Sequence, residues 1–347
     1  MVELTMNLQQ LRYLCGIADH ELNISKAAEA LHTSQPGVTR QIRQLEEELK
    51  AELLVRRGNR ISALTEAGRA VVEIARRTLR DIENIRSVGA EYADANRGTL
   101  SVATTHVHAR YILMPVAQRF RQRFSNVRLS IRQGNPDQII QLVTAGGADL
   151  GLASAPTEEA PALVRLPCYR FRRCVLVPKR HPLLKKRRIT LVDMAAYPMI
   201  NLDASFASGV SVMSTFQANG ITPNVVLTAT DAEVIKAYVA AGLGIATLPE
   251  IAFDPKQDAA LATIKARHLF PPNISYIWVH RHLYLRGYAF EFIRMLSATW
   301  TRAMINRFMR SDETADVALA IDPGYRLVDT TRRHMRRGSF TTSDSQT

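Results

Sequence analysis

Cysteine is nearly missing from this chain of 347 residues. Only Cys15, Cys168 and Cys174 occur, an odd and widely spaced set. That excludes a disulfide-stapled scaffold and suits a reducing compartment. The step from Cys168 to Cys174 lacks the CxxC spacing of a zinc or redox pair. Cys168 reads as a small buried apolar residue. Long apolar runs are missing too. None approaches the roughly 18 residues of a membrane span, so no membrane association is expected. The opening stretch, MVELTMNLQQLRYL, has no basic segment leading into an apolar one. A secretory signal is therefore not expected, and a cytoplasmic location is. Catalytic signatures are equally absent: no GxSxG, HExxH, phosphate-binding loop or GxGxxG is found. His106/His108 and His280/His282 are close pairs without a third nearby ligand, so no metal is expected. The expectation is a protein that is not an enzyme and holds no resident cofactor.

What the chain does have is hydrophobic residues at 46%, enough for real cores, and a formal net charge of +13. The charge is unevenly placed. Residues 1–62 hold 8 basic and 8 acidic residues, whereas residues 97–188 hold 17 basic and 4 acidic ones. One middle block thus carries the whole excess.

The first 64 residues read as helix, short helix, turn and helix. Leu8, Leu11, Cys15 and Ala18 fall at helical spacing. Ser25 is a candidate cap for a short helix Lys26–Leu31, whose buried face is Ala27, Ala28 and Leu31. Ser34 can cap the next helix, and Pro36 is tolerated in its first turn. Val38, Ile42, Leu45 and Leu49 form one apolar stripe; Gln35, Thr39, Arg40 and Arg43 lie opposite. This is a helix-turn-helix pattern, whose second helix enters the major groove of double-stranded DNA. Gln35 and Thr39 suit base edges, and Arg40 and Arg43 suit bases or phosphates. An ordinary helical bundle with a solvated charged face has the same pattern. The next segment favours DNA: residues 53–62 have strand-like ends around Gly58-Asn59, with Arg56, Arg57 and Arg60 at the tip. Such a wing straddles phosphates or a minor groove.

Thr65 then caps a long helix. Val71, Ala75, Thr78, Ile82 and Ile85 repeat at steps of 4 and 3, a seam running toward Tyr92 that fits pairing with a second copy. After residue 97 strands and helices alternate, which predicts an α/β domain with a largely parallel sheet. The chain leaves a first lobe near residue 167, builds a second and returns near 270. Ligands gather in such clefts, at the carboxyl ends of strands. Thr104 and Thr105 end a strand where a helix begins, a natural seat for an anion, or simply a helix cap. His108 adds a titratable group, unless it is a solvated surface residue. Residues 311–347 have the composition of a disordered tail, with Arg332, Arg333, Arg336 and Arg337 near its end.

The stretches LQQLRYL at 8–14, AAEALHTSQPGVTRQIRQLEEEL at 27–49 and RRGNRISALTEAG at 56–68 together resemble the LysR-type transcriptional regulators. GGADLGLAS at 146–154 and YVAAGLGIATLPE at 238–250 match the family's two lobes. ATTHVHARYILMPV at 103–116, Gly134-Asn135-Pro136, Leu166–Tyr169 and LTATDAEVIKAYVAAGLG at 227–244 resemble its CysB/Cbl-like branch. The likeness runs over about residues 6–310.

The resemblance implies a winged helix-turn-helix at 1–64 and a linker and dimerisation helix at 65–96. It implies a type-2 periplasmic-binding-protein-like effector domain at 97–310, with lobe I at 97–167 and 269–310 and lobe II at 168–268. It implies a homodimer or homotetramer that regulates sulfate, sulfonate and cysteine assimilation, with RNA polymerase as a further partner. The effector would be an acetylserine, sulfate or thiosulfate. DNA contacts would come from Ser34, Gln35, Pro36, Thr39, Arg40, Arg43, Arg56, Arg57 and Arg60. Effector contacts would come from Thr104, Thr105, His108, Gln133, Ser154, Ser208 and Thr230. Val107, His108, Ser154 and Ala207 depart from the branch, which has Thr-Gln, Thr and Thr there. A regulator of another pathway sensing a different small anion stays open, as does a solute-binding protein.

Overall fold

A computed structural model describes residues 6–58, 60–155, 159–311 and 313–319. Asn59 of the wing turn and the arginines of the tail lie outside them. Two compact units make up the chain: residues to Ala93 with His282–Tyr284, and the remainder from Asp94.

In the first unit, α1 (Leu8–Asp19) starts at an Asn7–Gln10 capping box. Helix α2 (Ile24–Ala30) is capped by Asn23, which accepts from Lys26 N. The cap expected at Ser25 thus sits two residues earlier, because the Asn side chain reaches the free N–H first. Helix α3 (Gln35–Leu49) begins at Ser34, which accepts from Gly37 N, with Pro36 in its first turn. Leu14, Ile17, Ala27, Val38, Ile42 and Leu45 bury a common core. Leu49, the last member of the α3 stripe, is exposed.

Strands β1 (Leu54–Arg57) and β2 (Arg60–Leu64) pair antiparallel as the wing, and Gly58 takes the positive φ that its turn needs. Helix α4 (Glu66–Ala93) follows. Thr65 caps it, its Oγ1 accepting from Gly68 N at 2.8 Å. Gly68 admits no side chain: a Cβ there would lie 2.0 Å from the Leu53 carbonyl oxygen. Ala75 packs on Leu11 and Cys15, while Ile74, Ile85 and Tyr92 are exposed.

The second unit holds two five-stranded sheets. Its first part runs β3 (Gly98–Thr104), α5 (His106–His108), a π-helical turn (Ala109–Leu113), α6 (Met114–Arg123), β4 (Val127–Gln133), α7 (Pro136–Thr144) and β5 (Leu150–Ser154). The helical stretch begins at His106, because Thr105 caps it. Strand β6 (Leu163–Phe171) completes one side, and β7 (Arg173–Pro178) opens the next sheet. Residues 168–171 therefore stay in the first sheet, and the crossing lies at Arg172 rather than after 167.

The second sheet is built by β7, α8 (Leu191–Ala195), β8 (Met199–Leu202), α9 (Ala207–Ala218), β9 (Val225–Ala229), α10 (Ala232–Ala240), β10 (Ile245–Pro249) and β11 (Leu261–Lys265). Its order is β11-β7-β10-β8-β9. The chain returns through β12 (Asn273–His280), which lies antiparallel between β5 and β6 in a sheet ordered β4-β3-β5-β12-β6. Parallel β3–β4, β3–β5, β8–β9 and β8–β10 pairs match the alternating pattern. Two helices follow: α11 (Gly287–Leu296) and α12 (Arg302–Arg310). Ser297 turns extended, Trp300 is buried with its Nε1 donating to the Pro167 carbonyl, and Thr301 caps the second helix.

Candidate functional site

Helix α3 presents Ser34, Gln35, Pro36, Arg40 and Arg43 to solvent, opposite the buried Val38–Ile42–Leu45 stripe. Thr39 is half-buried and spends its hydroxyl on the Gln35 carbonyl one turn back, at 3.0 Å. Arg56, Arg57 and Arg60 of the wing are all exposed. Arg56 is different. Its guanidinium donates to both oxygens of Glu46, at 3.2 and 2.7 Å, and Glu46 Oε1 also accepts from Leu53 N and Leu54 N. The pair pins the wing to α3, so Arg56 serves as a structural strut, unlike Arg57 and Arg60. That bond joins residues ten apart in sequence, which a reading of the wing by itself does not disclose.

The residues expected to hold an effector divide into three groups. In the first lobe, Thr104 is fully buried and donates to the Leu152 carbonyl at 2.9 Å, which closes the β3–β5 seam. Its hydroxyl proton is therefore committed to the sheet, against its expected place in an anion seat. Thr105 caps α5 and lies 2.7 Å from His108 Nδ1. His108 Nε2 lies 2.6 Å from Ser275 Oγ, and its ring packs 5.4 Å from Phe171. His108 is buried, so it is no surface residue. Burial lowers its pKa from 6.5 to about 4. At neutral pH the imidazole is therefore uncharged, one nitrogen donating and the other accepting. Ser154 stands directly across from Ser275 in the β5–β12 register, and both are buried. Ser275, on the returning strand, belongs to this cluster and has no signal in the local sequence.

Between the lobes lies a cavity of about 390 Å³ lined by His106, Val107, Arg110, Tyr111, Gln133 and Asp231, among others. Gln133 is on its wall; Thr230, the neighbour of Asp231, is exposed. Across it His106 and Asp231 lie 3.4 Å apart, and Arg110 pairs with Glu233. Lys236, 3% exposed, donates to Tyr111 Oη at 2.9 Å and to Asp258 at 3.1 Å. Arg110 and Tyr111 sit in the π-helical turn, a feature common beside functional sites.

In the second lobe Ser208 opens α9 and accepts from Arg173 Nη1 at 2.9 Å. Gly209 lets α9 press onto the end of β8, since a Cβ there would come 2.2 Å from the Leu202 carbonyl oxygen. Among the described residues no cluster of His, Cys, Asp or Glu has metal-ligand geometry. Burial pushes the Cys15 thiol up to about 11 and that of Cys174 up to about 12, and raises Cys168 further, so none is a ready nucleophile. No helix among the described residues is long and apolar enough to cross a membrane.

The wing, the exposed recognition helix and the two-lobed cleft define a DNA-binding module joined to a ligand-binding domain. Residues 8–69 match the family described as bacterial regulatory helix-turn-helix protein, lysR family, and residues 93–301 match the LysR substrate binding domain. The chain is 39% identical over 307 residues to the HTH-type transcriptional regulator CysB of Burkholderia cenocepacia, covering 88% of this chain and 98% of that one. It is 40% identical over 305 residues to the regulator SsuR of the same organism, covering 88% and 99%. The crystal structure of the cofactor-binding domain of the Cbl transcriptional regulator superposes with a TM-score of 0.59 at 35% identity, covering 62% of this chain and 95% of that one. The chain therefore belongs to the LysR family of transcriptional regulators, within its CysB/Cbl-like branch, and is not an enzyme.

Proposed function

We propose that this regulator controls sulfur-assimilation genes and that a small anionic effector, an acetylserine, sulfate or thiosulfate, sets its activity. The supporting observation is the end-to-end likeness to CysB and SsuR, which spans the DNA-binding module and both lobes. Gln35, Arg40 and Arg43 read promoter DNA, and Arg57 and Arg60 grip phosphates. The exposed Ile74, Ile85 and Tyr92 on α4 suit pairing of two copies into a homodimer or homotetramer, which places two recognition helices on a two-fold operator. RNA polymerase contact and a cytoplasmic location belong to the same reading. Effector binding shifts lobe packing and, through it, the spacing of the DNA-binding heads.

The experiment is binding of the full chain to sulfur-gene promoter fragments and to random duplex at physiological salt. A preference of at least a hundredfold is expected, and equal affinity for both overturns the regulon assignment. A second reading, a regulator of another pathway with a different small anion, is favoured by Val107, His108 and Ala207, which stand where the branch has hydrogen-bonding Thr and Gln residues. Buried neutral His108 removes one donor pattern and substitutes another.

A further inference from the structure

Helix α5 runs without a break into the π-helical turn Ala109–Leu113 and on into α6. The widened turn has a local cause. Pro115 has no N–H to give the Tyr111 carbonyl four residues back, so the α-helical ladder cannot continue there. Arg110 and Tyr111 lie in that turn. Facing them is α10 of the second lobe, with Asp231 as its cap and Glu233 and Lys236 in its first two turns.

Part of this seam is apolar. Val107 and Tyr111 pack on a second-lobe cluster that includes Ala232, Ile235 and Ala252. The rest is polar. His106 meets Asp231 at 3.4 Å, Arg110 meets Glu233 at 3.5 Å, and Arg110 Nη2 donates to Gln257 at 2.8 Å. The Tyr111 hydroxyl fills both of its roles here, accepting from Lys236 Nζ at 2.9 Å and donating to Glu233 Oε1.

Lys236 is 3% exposed, and lysine is rarely buried so fully. Replacing a buried charged group by an apolar one of similar size is often neutral for stability, so stability alone does not account for it. Its partners divide unevenly. Nζ pairs with Glu233 at 3.0 Å and donates to Asp258 at 3.1 Å and to the Ala252 carbonyl at 3.2 Å. All three belong to its own lobe. Of the oxygen partners Lys236 has among the described residues, only Tyr111 Oη comes from the first lobe. Tyr111 can therefore withdraw without stranding the buried charge. A contact made or lost at small cost to either lobe is what a joint with two positions needs.

We propose that Tyr111, Lys236 and Glu233 form a latch across the cleft: with the Tyr111 hydroxyl seated the lobes hold one orientation, and with it withdrawn they adopt another. The latch rests on the effector reading above only for what moves it. Thr105 and His108, two expected effector contacts, lie within two turns of Tyr111 on one helical stretch. A ligand drawing on them pulls Tyr111 from its seat, and the lobes follow.

The test is the distance between the lobes, measured by pulsed electron resonance. The full chain carries Gln141→Cys on α7 and Gln217→Cys on α9, both exposed positions, spin-labelled and diluted in unlabelled chain. The native Cys15, Cys168 and Cys174 are buried and resist labelling. Without ligand, Tyr111→Phe should shift or broaden the distance distribution by a few ångströms, and Glu233→Gln should do so to a lesser degree. The melting temperature should fall little, because Lys236 keeps the partners in its own lobe. Sulfate, thiosulfate, O-acetylserine and N-acetylserine are then added in turn. At least one should move wild type toward the Tyr111→Phe distribution and move the variant much less. Distributions in Tyr111→Phe and Glu233→Gln that match wild type, even with lower melting temperatures, overturn the latch and leave a merely structural contact. An equal ligand response in wild type and variant overturns it too. A wild type that none of the compounds moves overturns the anion-sensing reading, and the ligand-free comparison still decides the latch. Should Tyr111→Phe not fold, Glu233→Gln decides it.

Discussion

Glu46 and Arg56 meet at the root of the wing, with both Nη atoms of the arginine on the two carboxylate oxygens. Glu46 is also the acceptor for two backbone N–H groups where the chain enters β1. Replacing it with alanine leaves those donors without a partner in a buried place. Glu46→Ala should lose about 3 kcal/mol of stability, at about 1–3 kcal/mol per unsatisfied group. Denaturant unfolding of the full chain followed in the N-terminal module measures it, and a loss below half a kcal/mol would refute the strut.

The same pair separates the three wing arginines. Arg57→Gln and Arg60→Gln should each reduce the slope of log affinity against log salt by about 1, the loss of one phosphate contact. Arg56→Gln should change that slope little and lower the melting temperature instead. Equal slope changes for all three would show Arg56 released onto DNA.

Gln35 stands exposed in the first turn of α3, behind the Ser34 cap. Gln35→Ala should weaken binding to the cognate promoter by about 1–3 kcal/mol and leave random duplex almost unaffected, because a base-edge contact carries the sequence preference. Competition binding resolves the two; a uniform loss on both DNAs would place Gln35 on the backbone.

Neutral His108 ties stability to pH. Its folded pKa, about 4, lies below the unfolded value near 6.5, so the unfolded chain takes up a proton first as pH falls. The resulting stability is fully present above pH 6.5 and is lost as pH falls toward 4, amounting to about 3 kcal/mol. Unfolding of wild type and His108→Gln at pH 7.5 and 4.5 should show a gap that shifts in favour of the variant on acidification. Parallel curves would mean that His108 does not carry the effect.

The basic run at 179–188 is exposed apart from the turn around Leu183, and among the described residues only Lys186 within it has an acidic partner, Asp193. Neutralising Lys185, Arg187 and Arg188 together should lower the salt slope of DNA binding by about 1–3, as expected if bent promoter DNA reaches this surface. An unchanged slope would leave effector steering or solubility as the role of the charge.

The sequence by itself determined the module order, the recognition helix with its Ser34 cap and Pro36, the Thr65 cap and the alternation of strands and helices after residue 97. These are local matters: 3.6-residue and two-residue periodicities, cap residues and turn glycines act within a few positions of themselves. The tertiary structure decided which polar groups are free. Arg56, an exposed wing cation by pattern, turns back to Glu46; Thr104 is consumed by Leu152; His108 is held neutral between Thr105 and Ser275, the last 167 positions away. Lys236 looks like one more polar position on a helix, yet the meeting of the two lobes shows it buried against Tyr111, 125 positions away. Burial and hydrogen-bond partnership depend on chain segments brought together from far apart, and those decide whether a charge is a strut, a solvated surface group or a contact between lobes.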